Sequence, residues 1–327
     1  MRELRRDPLT GLRSLVATGR TERPGGGFAV EPPPPVDPEA DPFLEGHEAE
    51  TPPELAAYGA APDRAPDTPG WKVRAVPNRY PALSPDAGEP SPTATRELFS
   101  AQPARGAHEV IVNAPHAAGS LAALDPSELA LAMDAWRDRM RAHADAPCVH
   151  LSVNEGIEGG ASQAHTHAQL YALAFVPAAI ARERERARAY ATETMGGTLL
   201  SDLLQEEVRR RERIVAIDDD AVLLAPFASR VPFQLMLVPR AARGSFEDDG
   251  PTGASLLHEA LARLTRRLGA TPPLNLWVRT APSGADHFCW RIDVLPRLTH
   301  LAGLELGTGV DLNVLAPETA AAELRSP

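Results

Sequence analysis

A 3.6-residue spacing of apolar positions marks the helices of this chain, and alternation or short apolar runs mark its strands. Residues 125–146, DPSELALAMDAWRDRMRAHADA, predict a helix. Asp125 is placed to cap it, Pro126 suits its first turn, and apolar residues then recur at helical spacing. Strands are expected at 108–115 (HEVIVNAP), at 148–156 (CVHLSVNEG) and, after a glycine-rich turn, at 164–175 (AHTHAQLYALAF). A long charged helical stretch follows, AAIARERERARAYATETM. The second half repeats the order: two strands within 221–240, a helix over 253–270, a strand followed by a loop over 274–283 and another strand over 288–298. Both halves run strand, helix, strand, loop, strand, which predicts a duplicated α+β unit with antiparallel sheets. In that register Cys289, Arg291 and Asp293 stand where the first half has His165, His167 and Gln169.

Residues 1–70 break the pattern. EPPPPVDPEADPF and AAPDRAPDTPGW are too rich in proline for long helices or central strands, so they are expected to wrap the rest as coil. At 327 residues and 43% apolar content the chain can build a sizeable core. Its apolar runs fall short of a membrane span and no secretory signal opens it, so a soluble cytoplasmic protein is expected. Acidic residues exceed basic ones by 44 to 33, which argues against nucleic-acid binding. The single lysine is Lys72 and no GxxxxGK[ST] exists, so an anionic ligand would be held by arginine, backbone N–H groups and polar side chains. The two cysteines, Cys148 and Cys289, form no CxxC and no disulfide framework.

Chemistry concentrates in GGASQAHTHAQ, residues 159–169. On a strand His165, His167 and Gln169 would share one face. Gly159, Gly160 and Ser162 precede them in a loop able to bring backbone N–H groups to an anion, and Asn154 ends the strand before. Spacing alone leaves a catalytic imidazole, a metal-binding pair and polar residues on a half-buried strand all open.

ASQAHTHAQLYA resembles the active-site strand of the galactose-1-phosphate uridylyltransferase branch of the histidine-triad superfamily, which carries Asn, a Gly-x-Ser loop and His-x-His-x-Gln. RRDPLTGLRSLVATGRTERP, VPNRYPAL, FASRVPFQLMLVP and LPRLTHLAGLELGTGVDLN are similar to further segments of that family, in the same order over nearly the whole chain. The resemblance implies two tandem histidine-triad-like domains, about 1–180 with the nucleophile and 195–327 without catalytic histidines. It implies that His167 attacks the α-phosphorus of a nucleotide sugar and forms a nucleotidyl-histidine. His165, Ser162 and Gln169 match the other active-site positions. Arg20, Arg23, Asn78, Asn154 and Gly160 match substrate-binding positions, and Glu305 matches a sugar-hydroxyl acceptor donated by a partner subunit. A homodimer is implied. Hydrolase relatives carry a third histidine at the place of Gln169; an amide cannot protonate a leaving group, and a sugar phosphate needs little help to leave. Gln169 therefore favours transfer over hydrolysis.

Departures from the family concern metals. Many members bind zinc through Cys-x-x-Cys and two histidines. Here Asp41 and Leu44 stand where the cysteines would, beside His116 and His165. Leucine cannot ligate, so no zinc or other cofactor is expected; a surviving site would draw on Asp41, His47, His116 and His165. A second metal site of some members uses a glutamate, matched by Glu183, and histidines of the last strand; His287 lies in the loop before that strand, Cys289 and Arg291 replace the histidines, and arginine repels a cation. The leading reading is UMP transfer from UDP-glucose to a hexose 1-phosphate such as galactose 1-phosphate. An ADP-glucose or dinucleoside-polyphosphate phosphorylase would use the same mechanism. A catalytically retired nucleotide-sugar-binding protein is the reading from another class.

Overall fold

The computed structural model describes residues 2–20, 28–90, 95–96 and 98–326, with backbone only at 20, 95 and 96. Its first half contains β1 (Arg2–Arg6), β2 (Arg13–Ala17), β3 (Ala56–Tyr58), β4 (Val73–Pro77), the short pair β5 (Thr95–Arg96) and β6 (Phe99–Ser100), β7 (Gly106–Val112), α1 (Pro126–Arg141), β8 (Cys148–Glu155), β9 (His167–Leu173) and α2 (Ala178–Glu193). The second contains α3 (Leu199–Arg210), β10 (Ile214–Ile217), β11 (Ala221–Leu224), β12 (Leu235–Pro239), α4 (Ala254–Leu268), β13 (Leu274–Arg279), β14 (Arg291–Pro296), α5 (Gly303–Thr308), β15 (Val310–Asn313) and α6 (Pro317–Arg325).

The expected α+β class with antiparallel pairing is what the chain adopts. Strands of both halves join one ten-stranded sheet in the order β10-β11-β12-β14-β13-β8-β9-β7-β4-β3. The halves meet where β8 pairs antiparallel with β13, from Leu274 opposite Glu155 to Val278 opposite Leu151. Outward from this seam the order is symmetric, and β14 takes the place in the second half that β9 takes in the first. A smaller sheet, β1-β2-β15, ties the two ends of the chain together, with β15 parallel to β2.

One face of the large sheet is apolar. Ile111, Leu151, Ala168, Leu170, Leu276, Ile292 and Val294 bury against Leu129, Met133 and Trp136 of α1 and Leu257, Leu261 and Leu264 of α4. The first of these helices begins as its sequence predicts. The Asp125 carboxylate accepts the Ser127 and Glu128 N–H groups at 2.7 and 2.9 Å, and Glu128 accepts the Asp125 N–H at 3.0 Å. On the opposite face, α3 and Leu9 cover the second half: Leu200 and Leu204 pack with Val222, Leu224, Met236 and Val238. The first half keeps that face for a cleft.

The proline-rich coil lies against β4. Trp71 donates its indole N–H to Glu48 at 2.7 Å, and Arg74 reaches Thr51, Glu54 and Asp67 at 2.7, 3.2 and 2.6 Å. Within the loop-rich region, β1, β2 and β3 form where prolines are sparse. The expected strand at 164–175 starts only at His167, because residues 161–166 bend. Among the described residues no helix is long and apolar enough to cross a membrane.

Leu276 is fully buried at the seam between the halves. Leu276→Ala is expected to cost about 2–5 kcal/mol in urea unfolding, the range for truncating a core leucine. A loss well under about 1 kcal/mol would show that the seam is not packed as described.

Candidate active site

Cross-strand pairing builds the cleft. On β9, His167, Gln169 and Tyr171 lie opposite Val112, Val110 and His108 of β7. Asn78 follows β4, and its N–H donates to the His108 carbonyl at 2.9 Å. His167, Gln169, His108, Val110, Val76 and Asn78 line a cavity of about 490 Å³, closed by Phe43, Thr51, Tyr80 and Ser162. That volume suits a small-molecule ligand.

His167 has a defined tautomer. Its Nδ1 lies 2.8 Å from the carbonyl oxygen of His165. A carbonyl only accepts, so Nδ1 carries the proton and Nε2 keeps its lone pair. Burial pushes the ring below the usual histidine pKa, which keeps it neutral near pH 7. The Phe43 ring lies 5.1 Å from it, centroid to centroid.

His165 precedes β9, is wholly buried and does not line the cleft; the Phe43 ring that lies near His167 also lies 6.2 Å from the His165 ring. Its Nδ1 lies 2.6 Å from Asp41 Oδ2 and its Nε2 lies 2.9 Å from the Ala114 carbonyl oxygen. Both partners are acceptors, so both ring nitrogens donate and the pair is ionic. The other Asp41 oxygen accepts the Phe43 N–H at 3.0 Å. One carboxylate thus docks the loop carrying Phe43 onto the residue whose carbonyl orients His167.

Thr166 points the other way, into a buried network. Its hydroxyl donates to Glu155 at 3.0 Å, and the same carboxylate accepts Ser120 Oγ–H and Leu121 N–H, both at 2.6 Å. Burial pushes the Glu155 carboxyl up, and these three donors oppose it. Asn113 bonds Thr166 Oγ1 at 3.2 Å and accepts the Trp136 indole N–H at 2.9 Å. The two residues around Thr166 are therefore held from both faces.

The glycine loop is tied down by Asn275, whose amide donates to Asn154 Oδ1 at 2.8 Å and to the Gly159 carbonyl at 2.7 Å. A Cβ at Gly159 would lie 2.6 Å from the Leu274 carbonyl oxygen, so only glycine fits against β13. Gly160 turns at φ +81°. Ser162 and Asn78 line the cleft, while Asn154 and Gly160 lie outside its lining. Arg20 lies in a short 3-10 turn with only its backbone described, and Arg23 lies outside the described residues. Glu305 lies in α5, where it accepts the Ala302 N–H at 3.0 Å, and it does not line the cleft. His108, Tyr171 and Phe43 escaped the sequence reading. For His108 a signal existed: it sits two residues before Val110 on a strand whose alternate residues face one side.

The residues do not fit a zinc ion. Both His165 nitrogens are engaged, Leu44 has no donor, and His47 turns its Nδ1 to the Asp41 carbonyl at 2.7 Å. His116 lies at the surface, 3.0 Å from Glu128, away from His165. At the second family metal position the Arg291 guanidinium fills the space, bonding Glu183 at 3.0 Å and Asp293 at 2.9 Å. Trp277 also donates to Asp293, at 2.9 Å. Burial pushes the Cys289 thiol up to about 11, away from the thiolate a metal requires. Among the described residues no group of three or more His, Cys, Asp or Glu side chains could hold a metal.

Residues 1–177 match the galactose-1-phosphate uridyl transferase N-terminal domain, and residues 101–326 match a domain of unknown function, DUF4921. ADP-glucose phosphorylase of Arabidopsis thaliana is 28% identical over 341 residues, covering 99% of this chain and 92% of that protein. Galactose-1-phosphate uridylyltransferase of Cryptococcus neoformans is 28% identical over 350 residues, covering 98% and 88%. The crystal structure of the Arabidopsis thaliana ADP-glucose phosphorylase with bound ADP-glucose superposes with a TM-score of 0.81 at 26% identity, covering 100% of this chain and 99% of that one. The class these matches define is a nucleotidyltransferase enzyme. The chain belongs to the galactose-1-phosphate uridylyltransferase family.

Elemental analysis of the purified protein is expected to find no stoichiometric zinc, and Asp41→Ala is expected to cost about 3–5 kcal/mol of stability by stranding a buried charge. One zinc per chain, or an Asp41→Ala variant as stable as the parent in urea, would contradict the ion pair described here.

Proposed function

We propose that the chain moves a nucleoside monophosphate from a nucleotide sugar to a phosphate acceptor through a covalent intermediate on His167. The observation that carries this reading is the His167 hydrogen bond to the His165 carbonyl, which leaves Nε2 unprotonated on the wall of the cleft. In the first displacement Nε2 attacks the α-phosphorus. An N–P bond forms, the α–β anhydride P–O bond breaks, and sugar 1-phosphate leaves with that electron pair. In the second, an acceptor phosphate oxygen attacks the same phosphorus and the N–P bond returns its electrons to the ring. No proton donor to the leaving group is needed, because a sugar phosphate is stable as an anion. Gln169 supplies hydrogen bonds, not protons, to the developing charge. Ser162, at the cleft mouth, is a second donor to the phosphate.

Two donors remain in play. UDP-glucose with a hexose 1-phosphate acceptor follows the family match and the Cryptococcus neoformans relative. ADP-glucose with inorganic phosphate as acceptor follows the Arabidopsis thaliana relative, which aligns over nearly the full chain and whose solved structure holds ADP-glucose. Retention of the nucleophile, its tautomer and the phosphate-side amide supports an active enzyme over a retired binding protein. Glu305 lies away from the cleft of its own chain, which supports a dimer in which it serves the neighbouring one.

Steady-state assays with each donor and each acceptor distinguish the two substrate readings. His167→Gly is expected to abolish transfer from the nucleotide sugar, while a nucleotide imidazolide restores turnover because only the second displacement remains. Gln169→His keeps the nucleophile and adds a proton donor, so hydrolysis should rise relative to transfer. Wild-type transfer by His167→Gly would remove His167 from the nucleophile role.

A further inference from the structure

Gln169 sits where a phosphate would be met, and an amide presents either an acceptor or a pair of donors depending on which way it faces. An anion is stabilised only by the donors. The surroundings of Gln169 decide between the two. Its Oε1 lies 2.8 Å from the Tyr171 hydroxyl, which donates to it. The same oxygen lies 3.1 Å from His108 Nε2.

The His108 tautomer follows from its other nitrogen. Nδ1 accepts the backbone N–H of Ala82 at 3.1 Å. Burial lowers the pKa of His108, which favours the neutral ring. With Nδ1 an acceptor, the one ring proton sits on Nε2 and donates to Gln169 Oε1. The Asn78 amide nitrogen also lies 3.1 Å from Nε2, but a protonated nitrogen cannot accept from it, so that approach is a contact only. Tyr171 stacks on the His108 ring with centroids 4.2 Å apart and planes 24° apart, so the two donors brace each other. Both lone pairs of the Gln169 carbonyl are then occupied.

We propose that His108 is a positioning residue: with Tyr171 it clamps the Gln169 carbonyl and so turns the Gln169 NH2 into the cleft as the donor to the phosphate that His167 attacks. The assignment rests on nucleotidyl transfer through His167. His108 touches no reacting atom and acts through the amide. The clamp also gives the site its sign. A flipped amide would turn a lone pair toward the anion, and Gln169→Glu would place a charge there.

The test uses the full chain and two independent readouts. In the first, single-turnover formation of nucleotidyl-histidine is followed with the donor that the wild type uses. His108→Phe keeps the stacking and removes both nitrogens; it should slow this step roughly tenfold, the loss of one net hydrogen bond, and change donor affinity far less. His108→Gln places an amide N–H where Nε2 stood and should recover most of the rate; His108→Asn, which reaches only the Nδ1 position, should not. Tyr171→Phe removes a single hydroxyl and should give a smaller loss of the same kind. The variant pair His108→Phe with Gln169→Ala should be no slower than Gln169→Ala alone, because the effect of His108 passes through the amide. Multiplying losses, or a wild-type rate in His108→Phe, would overturn the proposal.

The second readout needs no turnover. The Gln169 side-chain NH2 signals, assigned by comparison with Gln169→Ala, are followed by nitrogen-15 NMR in the ligand-free protein. They should be ordered in the wild type and lose order in both His108→Phe and Tyr171→Phe. If they do not respond, the clamp is wrong whatever the activity. If they respond while no donor labels the wild-type protein, the clamp stands and the nucleotidyl-transfer reading is what fails.

Discussion

The hydrogen bond from His167 Nδ1–H to the His165 carbonyl, 2.8 Å long, is the contact on which the rest of the site depends. It fixes the tautomer of the ring: one nitrogen is held as a donor and the other is left with its lone pair. The bond is useful only if the carbonyl stays where it is. Four groups see to that. Asp41 and the Ala114 carbonyl hold the His165 ring, and Glu155 and Asn113 hold the hydroxyl of Thr166 between the two histidines. A coil segment, the end of β7, the end of β8 and the catalytic strand converge on three residues.

Asp41 shows how a chain can lack metal ligands without an evident gap. A buried histidine with an acceptor on each nitrogen is fully satisfied, and the carboxylate also bonds the backbone of the loop it belongs to. A buried ion pair of this geometry is costly to break and contributes less net stability than it gives in fixed orientation. The second half made a parallel substitution. Arg291 of β14, the strand that corresponds to β9, projects from the same sheet face as His167 and Gln169 and pairs with Glu183 and Asp293. One half of a symmetric sheet keeps a wide cleft of about 490 Å³; in the other, charge pairs and α3 narrow the corresponding space to a cavity of about 120 Å³.

Much of this was legible in the residues. The helices α1 and α4 followed from apolar spacing, and β7, β8, β13 and β14 from apolar runs bounded by turns. The correspondence of Arg291 with His167 followed from the repeat. Other parts were not legible, for physical reasons. The strand was expected from residue 164, yet the backbone bends ahead of it and β9 begins only at His167. The partner of the His165 ring, Asp41, is distant in sequence and carried only the mark of a missing cysteine. α6 was not marked by spacing because its apolar face is mostly alanine.

The central claim is that His167 carries the nucleotide during the reaction. The direct measurement is the intact mass of the protein after brief mixing with UDP-glucose or ADP-glucose in the absence of acceptor, followed by peptide mapping. The expected result is an acid-labile gain of one nucleoside monophosphate with loss of the elements of water, located on His167, which disappears when acceptor phosphate is added. An adduct on another residue, or turnover of the nucleotide sugar with no adduct on His167 at any time, would contradict it.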